Sequence, residues 1–169
     1  MALANIPIYY WVSVGAILIF GCWWCGFYWT HTRTGYFFFD PQDFAADMEQ
    51  TGRVRKKLPK SAQSATFEPL LKHYIGVTQL LITVAAASIA FAGSVPKPHM
   101  AIAAAKLLLA WSIAFGVVFC ALLLWRYDEY GQNMESYTPP WYATIFAAGF
   151  SCLCCFMFGY LVWAFGLAN

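Results

Sequence analysis

The sequence predicts an all-α integral membrane protein, with four transmembrane helices and a short interfacial helix in its first loop. Three observations predict it. Four apolar runs are each long enough to cross a hydrocarbon core of about 30 Å, which takes about 20 helical residues. Apolar residues make up 61% of the 169-residue chain and charged residues only 11%. A soluble domain carries about 25% charged residues, and one this small has too much surface for its volume to hide the difference. Aromatic residues reach 20%, in keeping with the gathering of Trp and Tyr at membrane interfaces. The chain, 1–169, reads as a single transmembrane domain.

The first span is expected from Ile8 to Trp29. The preceding residues lack the basic region of a cleavable signal, so this run is expected to be retained, and no lipidation motif is expected at either end. The first loop, 31–73, opens with GYFFFDPQDF, which places Phe37 to Phe39 in the headgroup region. Asp43 is suited to cap a short helix that Gly52 ends. The following KLPKSAQSATFEP reads as an extended connector, with Thr66 capping the next helix and Glu68 and Pro69 in its first turn. The second span, Tyr74 to Gly93, and the third, Ala101 to Trp125, form a hairpin closed by GSVPKPHM. After the polar loop RYDEYGQNMESYTPP, Pro139 and Pro140 can start the fourth span, Trp141 to Gly166, without breaking it. All four runs are apolar on every side, unlike barrel strands of about 10 alternating residues.

Lys and Arg near span ends set orientation. Arg33, Arg53, Arg55, Lys56, Lys57, Lys60 and Lys72 in the first loop and Arg126 in the third stand against Lys97 and Lys106 opposite. Both basic loops are therefore expected in the cytoplasm, with both termini outside, in a bacterial cytoplasmic membrane. The cluster Arg53, Arg55, Lys56, Lys57 and Lys60 reads as a topology determinant beside an anionic leaflet. It carries no aromatic platform, so no nucleic-acid partner is expected.

Several residues are candidates for chemistry. Cys22 and Cys25 share C-x-x-C spacing in the first span, as Cys152 and Cys155 do in the fourth. Residues three apart share a helix face, and such pairs can serve redox or metal chemistry. Nothing cationic in the sequence stabilises their thiolates, so the pairs read as small packing residues. The chain is similar in helix count, and in having a C-x-x-C, to four-helix thiol-oxidising membrane enzymes such as the vitamin K epoxide reductase family. Those enzymes commonly add a second pair in an extracytoplasmic loop, whereas no cysteine lies in a loop here. His31 and His73 fall at span edges and read as interfacial. No H-E-x-x-H, G-x-S-x-G or phosphate-binding glycine loop is present, so catalysis is not expected, no metal site is assigned and no particular cofactor is indicated.

Lys106 is the one formal charge inside a span. It is expected either to snorkel to the near interface or to meet an anion from another subunit, a lipid or a ligand. Ala148, Cys152, Cys155 and Gly159 form a small-residue stripe on the fourth span, suited to close helix association, within the chain or with a partner. The polar interior is thin: Ser13, Thr78, Gln79, Thr83, Ser88, Ser112, Thr144 and Ser151. The expected role is a non-catalytic accessory or scaffold subunit of a larger membrane assembly, with lipids and other membrane subunits or copies of itself as partners. A self-assembling pore or bilayer-perturbing protein, and a thiol or quinone oxidoreductase, are the alternatives.

Overall fold

The computed structural model describes residues 7–34, 60–93, 100–133 and 139–168. All of it is helical apart from Pro7: α1 (Ile8–Thr34), α2 (Lys60–Gly93), α3 (Met100–Asn133) and α4 (Pro139–Ala168). Within them lie spans at Ile8–Thr30, Leu71–Ala92, Met100–Trp125 and Pro140–Phe165, each long and apolar enough to cross a membrane. Hydrocarbon offers no partner to backbone N–H and C=O groups, so a helix that satisfies its own is the stable form of such a run. The chain is a multi-pass integral membrane protein.

Local chemistry explains the helix starts. The Tyr10 N–H donates to the Pro7 carbonyl at 2.9 Å, opening α1. Pro139 and Pro140 open α4, where an absent N–H costs nothing. Two boundaries differ from the sequence expectation. The helix α2 begins at Lys60, so the connector from Lys60 to Thr66 is helical rather than extended and Pro69 lies inside the helix rather than in its first turn. Lys, Ala and Gln are good helix formers, and no residue between Lys60 and Thr66 breaks the turn pattern. Likewise α3 continues through RYDEYGQN to Asn133, because polar residues end the span without ending the helix. The proposed interfacial helix around Phe37–Phe39 and Asp43, and basic residues Arg53 to Lys57, lie outside the described residues.

The helices do not share their contacts evenly. The α3–α4 pair is the centre, with α1 packed mainly on α4 and α2 mainly on α3. Extensive contact between α1 and α2 is lacking. Burial follows this order: 44% of the most apolar stretch of α4 is buried, against 6% of that in α1. The core sits towards the end where α1 finishes and α4 starts. There Leu71, Phe119, Leu123, Tyr142, Ile145 and Phe146 enclose one another. Phe27 of α1 meets Phe150 at 5.3 Å and Phe146 at 6.2 Å between ring centroids, and Tyr74 of α2 meets Phe119 edge-on at 6.2 Å. At the opposite end Ser88 pairs with the Tyr160 hydroxyl, and Phe91 meets Trp163 at 6.2 Å. The start of α1 and the end of α4 therefore lie at one end of the bundle.

Candidate functional site

The stripe on α4 faces inward. Ala148 and Cys155 are fully buried, Cys152 is 1% exposed and Gly159 is buried. Their neighbour is α3. A Cβ on Gly159 would stand 3.0 Å from both Cγ and Cδ2 of Leu109. Ser112 of α3 donates to the Cys152 carbonyl at 2.9 Å, and a Cβ on Gly116 would stand 3.2 Å from the Cys152 sulfur and 3.0 Å from Ile82. The stripe joins helices of one chain and leaves nothing there for a partner to touch.

Most polar groups within the spans are engaged in hydrogen bonds, some within their own helix and some between helices. Thr78 and Thr83 donate to the carbonyls of Tyr74 and Gln79, each at 2.8 Å, and Ser88 donates to that of Val84 at 2.7 Å. Trp111 Nε1 donates to Ser13 at 3.1 Å, tying α3 to α1. Trp24 Nε1 donates to Thr144 at 3.1 Å, and Thr144 donates in turn to the Pro140 carbonyl at 2.7 Å. Ser151 Oγ is buried without a partner among the described residues.

The cysteines divide by helix. Cys22 and Cys25 are exposed on α1, which corrects the expectation that they pack inside the chain; the sequence period places both on one face but does not say which way that face turns. Cys152 and Cys155 are buried and Cys154 is half-buried, all as free thiols. Among the described residues, no three His, Cys, Asp or Glu side chains converge as metal ligands do. His73 is exposed. Lys60 opens α2.

Two features of the outer surface remain. The first is the groove where α1 and α2 part. Ile8 and Tyr9 of α1 and Ile89 of α2 form its walls, and Ala103, Lys106, Leu107 and Ala110 of α3 its floor, around a volume of about 370 Å³. The second is the outward face of α2. Gly76, Gln79, Thr83, Ala87 and Ala90 are all exposed there, and at 100° per residue they fall on one side of the helix. The Gln79 side chain makes no hydrogen bond with any described residue, and its position is about 12 Å from one end of the span and about 20 Å from the other at 1.5 Å per residue. That position falls well inside the apolar span.

The chain matches no family model. Nor does it match any curated protein or solved structure with which it was compared. Sequence reasoning placed Gln79 among the polar interior residues and missed the face it belongs to. The signal was available in the spacing Gly76, Gln79, Thr83, Ala87 and Ala90, but a single helix's pattern does not reveal whether a face meets its own chain or the outside.

Proposed function

We propose that the chain is a non-catalytic accessory or scaffold subunit of a membrane assembly, joined to its neighbour through the outward face of α2. The observation that carries this reading is Gln79, an amide bonded to no described residue, well inside the span and beside the exposed small residues Gly76, Ala87 and Ala90. An amide without a partner costs several kcal/mol in an apolar medium, on the order of 2–7. A helix from another subunit relieves that cost, and Gly76, Ala87 and Ala90 let it approach closely. The engagement of other span hydroxyls in hydrogen bonds, within their own helix for Thr78, Thr83 and Ser88 and between helices for Ser112, supports the same reading, since it leaves little polar surface for a conduction path. The proposed orientation puts both termini outside a bacterial cytoplasmic membrane, with the basic loop and its interfacial segment in the cytoplasm.

The test combines association with monomer stability. Gln79→Leu and Gly76→Leu should leave the isolated chain as stable as wild type, because nothing lies within 4 Å of a Cβ at Gly76 and Gln79 is exposed. Both should weaken assembly about tenfold, the effect of a lost interhelical hydrogen bond of about 1–2 kcal/mol or of a lost close approach. A photoreactive residue at Ala87 should capture a polypeptide in native membranes, and one at Met157 on the exposed side of α4 should capture lipid. A wild-type chain that is monomeric in the membrane, with lipid alone captured at Ala87, overturns the reading.

A further inference from the structure

We propose that the groove between α1 and α2 is a binding site for an anionic phospholipid, with the phosphate at Lys106 and an acyl chain along the apolar floor. The lining has one charged residue, Lys106, and is otherwise Ile8, Tyr9, Ile89, Ala103, Leu107 and Ala110. A cation beside an open apolar trough matches an anionic amphiphile and offers nothing to a purely polar ligand.

Depth places the two parts correctly. Lys106 lies six residues beyond Met100, about 9 Å along α3. Helical side chains lean towards the N-terminus of their helix, which for α3 is the end of the bundle shared by both chain termini. The ammonium is thus carried towards the phosphate level of that leaflet, while the groove continues inward. Ala103 and Ala110, both exposed, stand about one turn to either side of Lys106 on the same face. Their small side chains keep this part of α3 recessed between the two walls.

The chain places no Asp or Glu within its four spans. Its eight Asp and Glu residues are Asp40, Asp43, Asp47, Glu49, Glu68, Asp128, Glu129 and Glu135. Every one falls outside the four spans, in the stretches joining α1 to α2 and α3 to α4 or in the helix ends beside them. The described helix ends beside those stretches, Thr34, Lys60, Asn133 and Pro139, lie at the end of the bundle opposite Lys106. No described residue pairs with the Lys106 ammonium, and the most abundant anion at that depth is a lipid phosphate.

The experiment uses the full chain in mixed micelles containing equimolar dioleoyl phosphatidylglycerol and dioleoyl phosphatidylcholine, with retained lipid read by native mass spectrometry. The wild type should retain the anionic lipid about tenfold over the zwitterionic one. Lys106→Gln should bring that ratio close to one, and Lys106→Arg should preserve it. Ala110→Phe fills the groove while leaving the charge, and should reduce retention of both lipids. Equal retention by the wild type, or unchanged selectivity in Lys106→Gln, overturns the proposal. So does unchanged retention in Ala110→Phe, or a carboxylate of a second membrane protein cross-linked at Lys106 in native membranes. If Lys106→Gln does not fold, Lys106→Arg and Ala110→Phe still decide the matter.

Discussion

Gly159 and Gly76 are both helical glycines in apolar spans, yet the same substitution should act on them in opposite ways. At Gly159 the Leu109 side chain and the Ala105 carbonyl stand within 3.5 Å of an added Cβ. Gly159→Leu therefore overfills the α3–α4 contact and should cost about 1–3 kcal/mol or more, seen as a lower melting temperature of the monomer in detergent. At Gly76 the space is open, so the monomer should melt as wild type. A smaller effect is expected from Trp24→Phe, which removes the donor to Thr144; interhelical hydrogen bonds in a membrane average about 0.6 kcal/mol. The spacing of Ala148, Cys152, Cys155 and Gly159 made their common face legible in the sequence, because a helical period fixes which residues align. Gly116, whose added Cβ would meet Ile82 and Cys152, was not legible. Its importance is set by a residue on a different helix, which its own neighbours do not encode.

At the scale of the element, existence and type were legible for all four helices, since length and hydropathy alone decide them in lipid. The ends of the spans were also close to legible. The ends of the helices were not, because a span stops where the polar residues begin while a helix stops only at a breaker. The α2 start at Lys60 and the α3 end at Asn133 both pass through polar residues for this reason. Direction around each helix was the other missing quantity, and thiol chemistry can measure it. In detergent, N-ethylmaleimide should modify Cys22 and Cys25 of the folded chain, and Cys152 and Cys155 only after denaturation. Replacing Cys22 and Cys25 with Ala should change stability by less than about 0.5 kcal/mol, as for surface positions generally. Rapid labelling of Cys155 in the folded state would show that the α3–α4 contact opens.

For the whole molecule, the proposed orientation rests on eight Lys and Arg residues in the first and third loops against Lys97 and Lys106 opposite. A cysteine added after Asn169 should react with an impermeant reagent applied outside the cell, and changing Arg53, Arg55, Lys56 and Lys57 to Glu should reduce that fraction. Reaction only from the cytoplasm would invert the topology and with it the leaflet that faces Lys106. The bundle's layout also sets an order of events during synthesis. The first helix rests chiefly on the last, and the Trp24–Thr144 bond joins residues 120 positions apart. At about 5–20 residues per second, the far partner of that bond is made about 6–24 s after the near one. Throughout that interval the newly inserted helix stands in the bilayer with Trp23, Trp24 and Phe27 uncovered. Any helper that shields a nascent span has this window in which to act, and a ribosome stalled before Pro139 would leave the helix uncovered for as long as the stall lasts.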